Sequence, residues 1–285
     1  GESWPSVIGI AGSDMRTSFD YSARMTLDVT QSDGVACLAL RHPPVNALPL
    51  ELRRALVETL ERADADPSVA AIVLQGAGKG FCAGGDRTEF GTPAATTRPT
   101  LSRDVLSRIE ACRKPVVAAI HGFAMGGGLE LALACHVRVA VASARVGLPE
   151  VGIGRFPLSG SQRLPRLLGV ERAAEWMLRA ETMAASHPDA APLFDRIVEC
   201  EDDLLPAALD AAKQALQTPP LLLRHRPFPD ADPQAALHAV EARLATRELG
   251  PAHRALLAAL HAAVESPDFQ AGLDRAQVLF DELVG

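Results

Sequence analysis

Two glutamates, Glu130 and Glu150, sit in stretches too apolar to be ordinary solvated faces. Leu129, Leu131, Ala132 and Leu133 surround the first, and Val146, Gly147, Leu148 and Pro149 lead into the second. Each lies close to glycine-rich turns. The run Gly80-Phe81-Cys82-Ala83-Gly84-Gly85-Asp86 is one, and Gly126-Gly127-Gly128 is the other. Glycine lets backbone approach a ligand closely, so such turns can aim N–H groups at an anion. One preorganised donor of that kind is typically worth ~3 kcal/mol of barrier. Two carboxylates in different environments can divide acid and base roles between them. Together these parts suit proton transfer beside a carbonyl whose oxygen becomes negative, which is enolate chemistry.

The elements that must hold these residues follow from hydrophobic periodicity. Met25 to Leu40 is predicted to form a β-hairpin around Asp33-Gly34, stopped by His42-Pro43-Pro44. Pro49 to Ala65 is predicted to be an amphipathic helix, with Leu52, Leu56, Val57 and Leu60 inward and Glu51, Arg53, Glu58 and Arg62 outward. Val69 to Gln75, Pro115 to Ile120 and Val137 to Val141 read as strands buried on both faces. Leu101 to Cys112 reads as a helix, and 160–216 as mostly helical. The repeated strand–loop–helix order predicts parallel crossovers and an α/β core.

Both glycine turns follow strands, at the carboxyl ends where α/β proteins build sites. The three glycines before Glu130 cost about 1 kcal/mol each against alanine in a helix. Their place at a helix start suggests that free N–H groups and partial positive charge face a ligand. Glu130 lies about one turn further on and returns to the same cavity. Pro149 keeps Leu148 extended and sets Glu150 on a rigid loop entry.

Composition narrows the class. The chain has 285 residues, 48% hydrophobic and 22% charged, enough for one large core in a soluble globular protein. A net charge of −7 with 4% aromatics recommends neither nucleic acid nor an anionic membrane surface as partner. No apolar run reaches the ~18 residues of a membrane span, and the N-terminus lacks a secretory pattern, so a cytoplasmic setting is expected. Five widely spaced cysteines with no C-x-x-C predict reduced, buried thiols, without disulfides or structural zinc. His121 and His136 read as packing residues and Glu89 as a solvated one.

Residues 1–24 read as a loosely structured N-terminal extension, 25–218 as the core, 219–233 as a proline-rich linker and 234–285 as a helical appendage. The appendage is expected to serve packing or oligomerisation. Gly1 ahead of Met15 and Met25 fits processing or excision from a longer chain.

From about 25 to 216 the sequence resembles the crotonase superfamily, most closely the enoyl-CoA hydratases. The matching motifs are Pro44-Val45-Asn46-Ala47-Leu48, Phe81 to Asp86, Gly122 to Cys135, and Gly147-Leu148-Pro149-Glu150 leading to Gln162-Arg163-Leu164-Pro165-Arg166. Within that superfamily it is most similar to the hydratase part of bifunctional hydratase/3-hydroxyacyl-CoA dehydrogenases, whose linker the tail also resembles. No G-x-G-x-x-G follows a strand, so no dehydrogenase activity is expected. The resemblance implies an α/β fold with a crotonase-like (ββα)n spiral core and a C-terminal helical appendage. It implies water addition to a trans-2-enoyl-CoA giving a 3-hydroxyacyl-CoA. Gly85 and Gly127 would bind the thioester oxygen, Glu130 would deprotonate water, and Glu150 would protonate the α-carbon. Ala47, Ala83, Asp86, Arg87, Pro149 and Leu158 fall where the family lines its substrate pocket. No cofactor is implied, since coenzyme A belongs to the acyl-CoA substrate, and a homo-oligomer, trimer or hexamer, is the expected assembly. Leu158 stands where the family usually has glycine and is expected to narrow the water site. That departure keeps two alternatives in play: an enoyl-CoA isomerase or other crotonase reaction such as decarboxylation, and a non-catalytic acyl-CoA-binding module.

Overall fold

A computed structural model describes residues 27–285. The N-terminal extension, and Met25 and Thr26 of the predicted hairpin, lie outside the described residues. Eleven strands run through the rest: β1 (Leu27–Ser32), β2 (Val35–Leu40), β3 (Ala47–Leu48), β4 (Ala71–Gly76), β5 (Gly84–Gly85), β6 (Val116–Ile120), β7 (Phe123–Met125), β8 (Val137–Val141), β9 (Arg145–Gly147), β10 (Thr182–Ala184) and β11 (Arg196–Val198).

Six of them form the main sheet in the order β1-β2-β4-β6-β8-β11. β1 and β2 are the antiparallel hairpin, and Asp33 and Gly34 both take the positive φ (50° and 77°) that a two-residue turn of this hand requires. All later pairings in this sheet are parallel. β2, β6 and β8 are buried throughout, which is why they read as unbroken apolar runs.

Each of β2, β4, β6 and β8 is followed by a short strand outside the main sheet and then by helix. β3 pairs with β5, and β7 and β10 flank β9. A parallel bridge from Cys82 to Ala124 ties the β5 loop to β7. This is the expected spiral of ββα turns, and it places the glycine loops side by side in a second layer.

Some expectations need correction. Leu52, Leu56 and Leu60 are buried in the helix Leu50–Ala65 as predicted, but Arg53 is not on a solvent face. It is 5% exposed, and its guanidinium donates to Leu48 O (2.8 Å), Ala94 O (2.7 Å), Pro99 O (2.9 Å) and Glu89 Oε2 (2.9 Å). Glu89, predicted to be solvated, therefore closes a largely buried ion pair and also accepts from Leu50 N–H at 2.7 Å. Residues 160–216 are not helical throughout, since β10 and β11 interrupt them. β11 is only three residues long and is added beside β8 by tertiary pairing. The predicted Leu101–Cys112 helix opens as a wide π-type turn, Leu101–Val105, before tightening into Leu106–Glu110. All five cysteines are free thiols, but Cys200 is exposed rather than buried.

The tail forms three helices, Pro233–Leu244, Pro251–Glu265 and Phe269–Val284. Asp232 and Asp268 cap the first and third by accepting the N–H of Ala235 and Ala271. These helices pack on their own core. Gln162, 1% exposed, donates to Ala259 O at 2.9 Å. Phe280 meets buried Phe156 edge-on at 5.4 Å, and the guanidiniums of Arg163, Arg166 and Arg224 gather over the Phe269 ring.

Candidate active site

β6 ends at Ile120 and β7 carries the chain to Gly126, where φ is +53° and ψ is −127°. That conformation suits glycine, and a Cβ there would stand 2.8 Å from Glu150 Oε1. The helix Gly127–Ala134 begins at once. Gly128 lets it press against the β5 loop, because a Cβ would lie 2.1 Å from Cys82 O. The Gly127 amide, first in its helix, has no hydrogen-bond acceptor among the described residues.

Gly85 reaches the same place from β5. A Cβ built on Gly84 would be 2.7 Å from Gly127 N, and one built on Gly127 would be 3.4 Å from Gly85 N. The two glycine turns therefore abut at their amides. The neighbouring Gly84 amide is occupied by Cys82 Sγ at 3.3 Å. Burial pushes the Cys82 thiol up to about 12, so it is an acceptor here and not a nucleophile.

Glu130 is 5% exposed. Its Oε1 accepts two backbone N–H groups, from Ser159 at 2.8 Å and Gly160 at 2.7 Å. Its Oε2 has no hydrogen-bond partner among the described residues. Burial raises the Glu130 pKa above the usual 4.5, while the Gly160 N–H, the Arg163 charge and Ser159 oppose that rise. Glu150 opens the turn Glu150–Ile153 after Pro149. Its Oε2 is sealed from solvent without a hydrogen-bond partner. Burial first, and the Glu130 charge second, raise its pKa well above 4.5. The two environments are thus unequal. Two amides that favour its ionised form oppose the rise at Glu130, whereas Glu150 has no such side-chain partner and is pushed further toward its neutral form.

The remaining expected residues divide. Ala47 pairs with Gly84, and the Ala83 amide donates to Val45 O at 3.0 Å, so both hold the β3–β5 ladder beside the amides. Asp86 accepts from Thr88 N (2.9 Å) and Thr88 Oγ1 (2.7 Å), which commits its carboxylate to starting the next turn. Arg87 is exposed on that turn. Leu158 is buried, 8% exposed, yet the next two amides still reach Glu130. It has not displaced that carboxylate. His121 shares a hydrogen bond with Gly78 O and His136 accepts from Val116 N, both packing roles.

Sequence reasoning missed Ser159 and Gly160 as the clamp on Glu130. The signal was available: a second glycine-containing helix start, Gly160–Arg163, near an apolar acid. Among the described residues no three His, Cys, Asp or Glu side chains gather as a metal site requires. A groove of about 300 Å³ between Glu110, Arg113, His136 and the Pro219–Leu222 stretch shares no lining residue with this site.

A spiral of ββα turns that carries two abutting glycine turns and an unequal pair of glutamates defines a protein of the crotonase class. The chain belongs to the enoyl-CoA hydratase/isomerase family, whose model matches residues 30–227. It is 44% identical over 189 residues to the peroxisomal bifunctional enzyme of Danio rerio, covering 65% of this chain and 25% of that protein. It is 42% identical over 146 residues to a probable enoyl-CoA hydratase of Bacillus subtilis, covering 50% of this chain and 57% of the relative. The chain thus spans less than two thirds of these relatives' lengths. A solved enoyl-CoA hydratase of Bacillus anthracis superposes with a TM-score of 0.63 at 27% identity, over 90% of each chain.

Proposed function

We infer that this chain is an enoyl-CoA hydratase, adding water reversibly to a trans-2-enoyl-CoA to give the 3-hydroxyacyl-CoA. The observation that carries this reading is the Glu130 carboxylate. One of its oxygens is fixed by the Ser159 and Gly160 amides, and the other has no protein partner. Such a group can hold and deprotonate a water. Glu130 takes a proton from the water as its oxygen bonds to the β-carbon. The electrons of the double bond move toward the thioester carbonyl, whose oxygen receives hydrogen bonds from Gly85 and Gly127. Glu150, whose pKa is raised well above 4.5 by burial and by the neighbouring Glu130 charge, gives its proton to the α-carbon. Dehydration runs the same steps backward.

Ala47, Ala83 and Pro149 border the thioester in this reading, and Leu158 limits the space behind Glu130. Arg87, exposed beside the β5 loop, is free to meet a phosphate of coenzyme A. No metal or redox cofactor is assigned a step. A homo-oligomer, trimer or hexamer, and a cytoplasmic setting complete the proposal. They are supported by exposed Val45, Ile153, Leu216 and Leu221 and by the free thiols.

The test is turnover of crotonyl-CoA, followed by loss of its conjugated-enone absorbance, with wild type and Glu130→Gln. Hydration by wild type and its loss in the variant are expected. A variant that still hydrates would remove Glu130 as the base, and a wild type that only shifts the double bond would replace this reading with the isomerase one.

A further inference from the structure

Arg155 stands apart from the other arginines drawn into the fold. Arg53, Arg108, Arg138 and Arg163 each meet a carboxylate. Arg166 gives a hydrogen bond to Arg226 O. Arg155 is half-buried, yet its guanidinium has neither a carboxylate nor a carbonyl partner among the described residues. Burial lowers its pKa, as expected where a charge has lost water and gained no counter-ion. None of its nitrogens is among the sealed, unsatisfied atoms, so the N–H groups open onto solvent-filled space.

Aromatic rings fix its position. The guanidinium lies 3.9 Å from the Phe90 ring centroid and 5.8 Å from that of Phe280. The Phe90 ring in turn covers Gly85, since a Cβ there would be 3.4 Å from Phe90 Cε1. The Arg155 backbone N–H donates to Glu150 O at 3.0 Å. The guanidinium therefore bridges the loop that carries one oxyanion amide and the turn that carries the acid.

Apolar side chains border the two amides and Arg155. Leu101 Cδ2 stands over Gly127, Phe90 stands over Gly85, and Phe156 lies buried against Phe280. A chain leaving the thioester along Phe90 crosses hydrocarbon and ends at an unpaired cation. We propose that Arg155 is a specificity-determining residue that selects enoyl thioesters whose acyl chain ends in a carboxylate. A planar guanidinium offers such a group two parallel hydrogen bonds. Phe90 and Phe280 hold the fork in place, so little side-chain freedom is lost on binding. This assignment rests on the hydratase reading for the placement of the thioester.

The test compares a trans-2-enoyl-CoA with its ω-carboxylated counterpart of equal chain length, in wild type, Arg155→Met and Arg155→Lys. Wild type is expected to favour the carboxylated substrate in kcat/KM. Arg155→Met should lose roughly 10- to 100-fold more on that substrate than on the neutral one, the usual scale for one charged contact. Arg155→Lys should keep part of the preference. Equal losses on both substrates, as a phosphate contact or a merely structural clamp would give, overturn the proposal. So does a wild type without preference. Calorimetry with the saturated pair, acyl-CoA and ω-carboxyacyl-CoA, separates this proposal from the hydratase reading. Selective binding without any hydration would sink the reaction and keep the site, whereas hydration without selective binding would do the reverse.

Discussion

Replacing Gly126 with alanine presses directly on the Glu150 carboxylate. At φ +53° and ψ −127° an L-residue is strained, at a cost of about 1–3 kcal/mol. The added methyl would lie 2.8 Å from Glu150 Oε1, so the glutamate must leave its rotamer, adding roughly 0.5–1.5 kcal/mol. The other carboxylate oxygen is already sealed without a partner, so no hydrogen bond guides the displaced group back. Urea denaturation should therefore show a loss of about 2–4 kcal/mol. A shift of the acid by about 1 Å should lower kcat on the order of 100-fold with KM little changed. Gly78→Ala is the control. Gly78 has φ +76° with nothing within 4 Å of its Cβ, so it should cost about 1–2 kcal/mol and leave kcat unaltered. A Gly126→Ala enzyme destabilised as stated but with kcat within a few-fold of wild type would refute the placement of Glu150 as proton donor.

Glu130→Gln removes the base while the Ser159 and Gly160 amides can still bond the amide oxygen, so kcat should fall by about 10²–10⁴-fold with the melting temperature nearly unchanged. The pH profile follows from Glu150. Its folded pKa is raised, so the native state binds its proton more tightly than the unfolded chain does. The associated stability is full below about 4.5 and is lost as pH rises through the folded pKa. Activity should fall over that same alkaline limb, and Glu150→Gln should stabilise the fold there relative to wild type, as read from denaturation curves at several pH values. Glu89→Gln strips the buried Arg53 of its counter-charge and should cost about 3–5 kcal/mol in a urea titration, far more than a solvated glutamate would.

The sequence carried the hairpin in Asp33-Gly34, the sheet in its apolar runs, and the site in two acids that had no polar neighbours to explain them. Those signals are local, and the spiral fold only brought their bearers together. What stayed hidden depends on contacts across long separations. Arg53 has the spacing of an outer helix face, and only the arrival of Glu89 and of the Leu48, Ala94 and Pro99 carbonyls turns it inward. β11 is three residues long and exists because β8 offers it an edge. The Ser159 and Gly160 amides become a clamp only when the fold brings them to Glu130, 29 and 30 residues earlier in the chain. Arg155 gives no sign of its isolation until the rings of Phe90 and Phe280 are seen on either side.

The most direct measurement follows an enoyl-CoA in D2O by proton NMR with wild type, Glu130→Gln and Glu150→Gln. The expected wild-type product is the 3-hydroxyacyl thioester with one deuterium at the α-carbon, and neither variant should form it at a comparable rate. Formation of that product by both variants at the wild-type rate, or unchanged substrate with wild type, would contradict a glutamate pair moving protons beside an amide-stabilised thioester oxygen.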